Sequence, residues 1–194
     1  MRVVLISGKM GSGKSTLAQG LVSALSARGF EVKVFKFANP LYELHDACLE
    51  VLRDYGIQRP VKDGELLQIL GTEYGRNCID KDVWVKCTRH AIGSWVAMNG
   101  DAAERGIAII NDARFRNEFD GFDEAFSIRL EASKEVRKQR VSYWRENDQH
   151  ASEVDLDGYA AEGRFSLLLD VAALDQEATL AAAVMGICNH FGLE

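Results

Sequence analysis

The chain has 194 residues, 47% of them hydrophobic and 27% charged, which fits one soluble globular domain with a sizeable core. Its formal charge of −6 argues against nucleic acid or a membrane surface as the main partner. No segment approaches the roughly 20 apolar residues that span a bilayer, and the first apolar run is too short for a secretory leader. The four cysteines show no zinc spacing and suit free thiols in a reducing compartment, so a cytoplasmic protein is expected.

Residues 1–7 are a short run of β-branched and aliphatic side chains, which reads as a buried strand. Gly8-Lys9-Met10-Gly11-Ser12-Gly13-Lys14-Ser15 then fits G-x-x-x-x-G-K-[ST] at every fixed position. Thr16-Leu17-Ala18 opens a helix, so strand, loop and helix come in the order a P-loop requires. Gly8, Gly11 and Gly13 let successive backbone N–H groups turn toward an anion, and the helix N-terminus adds its own. Lys14 is placed to reach the β- and γ-phosphates of a nucleoside triphosphate, and the Ser15 hydroxyl to ligate Mg²⁺. Ser12 and Thr16 complete the expected contacts of the triphosphate.

Leu17, Leu21, Val22 and Leu25 form the stripe of a crossover helix, closed by Arg28-Gly29. Residues 31–37 alternate as a second strand with one polar face. Asn39-Pro40 starts a helix carrying Leu41, Leu44, Cys48, Leu52 and Tyr55, which stops at Gly56. From 61 to 98 the pattern stays helical, with one piece broken at Gly71 and Gly75 and another beginning at Asp80. Residues 39–99 are therefore expected to be a helical insertion, longer than a plain crossover needs and suited to hold a second substrate.

Residues 106–112 are the most clearly buried strand, and 125–130 a further one. Ser133 caps a helix expected to run through Val136, Arg140 and Tyr143-Trp144. Residues 148–163 read as a loop, 165–170 as the last strand, and Leu174, Leu180, Val184, Ile187 and Phe191 as a closing helix. Strands alternating with helices imply a parallel sheet with right-handed crossovers, an α/β fold of one domain.

Asp112 ends an apolar strand, where a parallel sheet presents its ligand-binding edge, and is the candidate acidic partner of Mg²⁺. Arg114 follows two residues on, placed to fork onto a phosphate. Arg116 is as well suited to pair with Glu118 on the surface. Glycines around Tyr74 and Arg76 hint at a turn close to a ligand, with Arg76 as an acceptor clamp. Arg137 and Arg140, three apart, share a helix face that is either solvated or part of a lid (133–163) closing on a transferring phosphoryl group. His150 beside Ser152-Glu153 is a weaker candidate.

Several segments together resemble the deoxynucleoside monophosphate kinases of bacteriophages, a branch of the P-loop nucleoside monophosphate kinase superfamily. They are the P-loop, Phe37-Ala38-Asn39-Pro40-Leu41, Leu67-Gln68-Ile69-Leu70-Gly71-Thr72-Glu73-Tyr74-Gly75-Arg76, Asp80-Lys81-Asp82-Val83-Trp84, Asn111-Asp112-Ala113-Arg114-Phe115-Arg116-Asn117-Glu118 and His150-Ala151-Ser152-Glu153. The resemblance implies a three-layer, five-stranded fold with a monophosphate-binding helical lobe and a lid, ATP as donor, and a deoxynucleoside 5′-monophosphate as acceptor. It further implies Arg76 and Arg114 as acceptor-phosphate ligands, and Phe37, Tyr74 and Trp84 as lining of the sugar and base pocket. Family members often carry Asp where Asn39 stands and Pro where Arg116 stands, so neither position inherits a role. Residues 170–174 lack the Asn-Asp-Gly-like turn expected near the adenine.

The expectation is a Mg²⁺-dependent kinase acting on ATP and a (d)NMP, in the host cytoplasm if phage-encoded. Lys14, Arg114, Arg137 and Arg140 would carry the chemistry; the helices with Trp84 or Tyr143-Trp144 could support a homodimer, although apolar faces of that kind usually belong to the core. The alternatives are a kinase for another phosphorylated small molecule, phosphomevalonate-like, or a switch NTPase. Against the switch, no Asn-Lys-x-Asp guanine-reading motif occurs.

Overall fold

The structure, a computed structural model, describes residues 1–100, 105–142, 144 and 154–193. Strands β1 (Arg2–Gly8), β2 (Glu31–Phe35), β3 (Gly106–Ala113), β4 (Phe126–Glu131) and β5 (Leu167–Asp170) form one parallel sheet in the order β2-β3-β1-β4-β5. The described helices are α1 (Lys14–Ser26), α2 (Asn39–Asp54), α3 (Gly64–Gln68), α4 (Val83–Asn99), α5 (Arg116–Asp120), α6 (Lys134–Gln139), α7 (Asp157–Ala161) and α8 (Gln176–Phe191). An 11-residue π-helix, Ile69–Ile79, runs on from α3. The chain thus adopts the α/β fold with a five-stranded parallel sheet that its sequence predicts.

Strand position explains strand composition. β1 and β3, in the middle, are closed to solvent over almost every residue and read as unbroken apolar runs, whereas edge strand β2 exposes Glu31 and Lys33. Alternate residues of β1 feed two cores. Val4 and Ile6 meet Leu17, Leu21 and Leu25 of α1 and Val184 and Ile187 of α8. Val3 and Leu5 meet Trp84, Ile92 and Trp95 of α4 on the other face. Each such side chain contributes about 2 kcal/mol by burial.

Residues 39–99 carry helices throughout their regular elements, but α4 is itself the crossover helix covering the sheet, with α2, α3 and the π-helix packed outside it. The π-helix corrects the expected breaks at Gly71 and Gly75, both of which lie inside it and are buried. A β-carbon on Gly75 would stand 2.6 Å from the Trp84 ring, and one on Gly71 3.0 Å from Leu41. Trp84 Nε1 donates to the Gly71 carbonyl at 2.9 Å. These glycines are required by the close approach of α2 and α4 to the π-helix, and the chain does not turn there.

Other elements also differ from the sequence reading. α6 stops at Gln139, with the Ser133 hydroxyl accepting from Val136 N–H at 3.4 Å, so Arg140 caps the helix and Trp144 lies beyond it. The stretch read as a loop over 148–163 contains α7. α5, five residues long, carries too little periodicity to be read from sequence. Trp84 is a core side chain, 5% exposed, as apolar faces of that kind usually are. Tyr143, Arg145, His150, Ser152 and Glu153 lie outside the described residues. No helix among the described residues is long and apolar enough to cross a membrane, and the four cysteines are free thiols.

One irregularity positions the site. Leu5 faces Ile110 across the β1–β3 ladder, but Ser7 faces Ala113. β3 therefore carries one extra residue over 111–112, and such a bulge re-aims the side chains around it.

Candidate active site

The glycine loop sits where β1 ends and α1 begins, at the carboxyl edge of the sheet, where parallel folds bind ligands. Gly13, at φ +94°, is the N-cap of α1 and turns the loop into the helix. Ser12 N–H donates to the Lys9 carbonyl at 3.1 Å. Lys14 Nζ donates to the carbonyls of Gly8 and Lys9, the latter at 3.0 Å, which lays the ammonium inside the curl of the loop. Ser15 and Thr16 stand exposed in the first turn of α1. A cavity of about 590 Å³ opens beside them, bounded by the loop, Arg140, Val171, Leu174 and Thr179. Arg140 lines it, donating from Nη2 to the Val171 carbonyl at 2.7 Å.

Arg137 is placed differently from its neighbour. Its side chain is 5% exposed, Nε donates to the Ala132 carbonyl at 3.2 Å, and Nη1 donates to the Met10 carbonyl at 3.2 Å. A β-carbon on Gly11 would stand 2.6 Å from the Arg137 carbonyl oxygen. The guanidinium is thus bonded to the P-loop backbone and is not on a solvated helix face. The same guanidinium lies 5.2 Å from the Trp144 ring.

Asp112 Oδ1 accepts from Phe37 N–H at 2.9 Å and Oδ2 from Ala38 N–H at 3.1 Å, tying the end of β3 to the turn after β2. Burial pushes its carboxyl above the usual range, against the opposing pull of those two N–H groups. Each oxygen keeps a further lone pair. Arg114 lines a narrow cleft with Ser7, Gly8, Lys9 and Arg129, which sets it against the start of the P-loop.

Glu118 is the residue that sequence reasoning misjudged most. It is 2% exposed, far from the surface partner of Arg116 that its spacing suggests. Its Oε1 accepts from Arg76 Nη2 at 3.0 Å, while Oε2 accepts from the backbone N–H groups of Arg114 and Phe115 at 2.7 and 3.1 Å. Burial pushes the carboxyl up to about 7, offset in part by the two N–H groups and the Arg76 charge. Burial likewise lowers Arg76, whose guanidinium lies 4.2 Å from the Phe115 ring centre. Arg116 instead pairs with Glu162 at 3.5 Å and donates from its backbone to Asp155 at 2.8 Å.

The expected pocket-lining aromatics separate. Phe37 and Trp84 are core side chains, 3% and 5% exposed, whereas Tyr74 is 57% exposed on the π-helix. Sequence reasoning also missed Arg129, 4% exposed on β4, which donates to Ser7 Oγ at 3.1 Å and to Asp157 Oδ1 at 2.9 Å. Lys9 donates to the other oxygen of Asp157 at 2.8 Å, so α7 is tied to the P-loop. The signal was available, because an arginine in the middle of an apolar strand is unusual without a partner.

No family model matches the chain, and no curated protein matches it. Among solved structures, a gluconokinase from Sinorhizobium meliloti 1021 is 18% identical over 97% of this chain and 92% of its own, with a TM-score of 0.51. A sugar kinase from Janibacter sp. HTCC2649 is 21% identical over 96% of this chain and 94% of its own, with a TM-score of 0.50. At these identities the likeness is one of fold alone.

Proposed function

We propose that this chain is a Mg²⁺-dependent kinase that transfers the γ-phosphoryl group of ATP to a deoxynucleoside 5′-monophosphate, giving ADP and the dNDP. The observation that carries the reading is one complete P-loop with a cavity beside it that Arg140 lines, and with Arg114 set near the loop's start, its backbone joined through Glu118 to Arg76.

The donor triphosphate would lie along the backbone N–H groups of residues 11–16, with Lys14 at its β- and γ-oxygens and its base in the cavity beneath Arg140. The residues fit Mg²⁺, since a serine hydroxyl and one carboxylate are hard oxygen donors of the kind that share the ion with substrate phosphates. Ser15 and Asp112 would hold it, and it supplies charge neutralisation of the β- and γ-phosphates when bound. Arg76 and Arg114 would grip the acceptor phosphate, which two arginines suit far better than an uncharged hydroxyl compound. One acceptor oxygen then attacks the γ-phosphorus as the bond to the β,γ-bridging oxygen breaks, and ADP leaves with that electron pair. Positioning and charge stabilisation do the work, because two polyanions repel until cations hold them in line. Arg137 would keep the P-loop in shape through Met10.

A second reading, a kinase for another small molecule, draws on the fold likeness to a gluconokinase and a sugar kinase. The test is ADP release with ATP and Mg²⁺ across dTMP, dGMP, dCMP, dAMP, their ribose counterparts and gluconate. Strong stimulation by a subset of the deoxynucleotides is expected. Stimulation by gluconate alone would favour the second reading, and indifference to every acceptor would favour a switch NTPase.

A further inference from the structure

We propose that Glu118 is a positioning residue, whose buried carboxylate joins Arg76 of the π-helix and the Arg114 turn into one clamp for an anionic acceptor without touching the acceptor itself. The inference rests on the reading above, which makes Arg76 and Arg114 the acceptor ligands.

Glu118 sits 42 residues from Arg76 in sequence, so its contact joins the helical lobe to the loop after β3. Both carboxylate oxygens are occupied from opposite sides, Oε1 by the Arg76 guanidinium and Oε2 by two backbone N–H groups. With 2% exposure the carboxylate has no surface left for a ligand. Arg76 is fixed a second time by its packing over Phe115, yet its side chain remains 20% exposed, so it is not sealed from a ligand. Asn117, beside Glu118, donates from Nδ2 to the Lys81 carbonyl at 3.1 Å and to Asp82 Oδ1 at 2.8 Å. That pins α5 to the start of α4, and the two arms of the clamp cannot drift apart. Holding both arms before the acceptor arrives removes an ordering cost from binding.

Only a carboxylate can do this. An amide accepts through its oxygen alone, and its NH₂ would face either a guanidinium or two N–H donors. Glu118→Gln is nearly isosteric and breaks the clamp on one side. Arg76→Lys keeps the charge but loses the fork and the flat face over Phe115; being partly exposed, it serves if Glu118→Gln does not fold.

The experiment is calorimetric titration of wild type, Glu118→Gln, Arg76→Lys and the double variant with dTMP, inorganic phosphate and ATP, alongside thermal melts. Each single change should weaken dTMP binding by about tenfold or more, the double variant no further than the worse single change, and ATP binding by less than about twofold. A role confined to bracing the fold would lower the melting temperature with dTMP and ATP affinities unmoved, and would overturn the proposal. Additive losses would overturn it as well. If wild type binds phosphate but no dTMP, loss of phosphate binding in Glu118→Gln upholds the clamp while the nucleotide reading falls. If wild type binds neither, both fall.

Discussion

Replacing Lys14 with alanine is expected to lower kcat by about 10³-fold while leaving the protein folded. In the structure the ammonium donates to two carbonyls of its own loop, those of Gly8 and Lys9. Losing two such bonds at a partly buried site costs on the order of 1 kcal/mol of stability. In catalysis the same group would sit where charge develops on the β- and γ-phosphates, in a water-poor site where a fixed cation counts for far more. The two effects therefore separate cleanly. A coupled ADP-release assay reads the first, and thermal denaturation the second. Turnover close to wild type in a folded Lys14→Ala variant would remove the P-loop from the mechanism.

Arg76→Ala should destabilise the fold in a pH-dependent way. Burial raises Glu118 to about 7 in the folded chain from an ordinary value near 4.5, so the folded state binds the extra proton between those limits. This group's contribution to stability is then fully present at low pH and is lost as pH rises through about 7. Arg76 and the two N–H groups limit that loss. Without Arg76 the carboxyl must either stay protonated to higher pH or ionise beside N–H donors alone. Breaking such a buried pair costs about 3 kcal/mol at about pH 8. At about pH 5.5 the carboxyl is protonated in both proteins, and the cost should fall to about 1 kcal/mol for the lost hydrogen bond and ring contact. Urea unfolding of both proteins at the two pH values measures this. Equal destabilisation at both would contradict the buried ion pair.

How much was legible in the sequence depended on how local the cause was. The P-loop was fully legible, because its strand, glycines and helix start are contiguous and each residue type answers to one backbone or phosphate requirement. The middle strands were legible because burial on both faces leaves only apolar residues, and β2 because an edge strand alternates. Gly71 and Gly75 were misread as breaks because the cause lies elsewhere in the chain, in the Leu41 and Trp84 side chains that occupy the space of a β-carbon. Arg137 was placed on a lid because a helical charge run looks the same whether solvated or anchored, and its anchor at Met10 is 127 residues away. Glu118 was offered as one possible surface partner of its neighbour Arg116, whereas its partner is Arg76. Long-range partners of buried charges are what a single sequence hides best.

That organisation has a physical consequence. The P-loop is bonded to Arg137 at Met10 and to Asp157 at Lys9, and Arg129 bonds Ser7 on the strand that leads into it. Rigid support of this kind is what a site that works by positioning requires.

The measurement that bears most directly on the proposed reaction is the fate of γ-labelled phosphate from ATP, followed with Mg²⁺ and each deoxynucleoside monophosphate in turn. The expected result is label appearing in the dNDP of at least one acceptor, mole for mole with ADP. Label released only as inorganic phosphate, at a rate no acceptor changes, would contradict it.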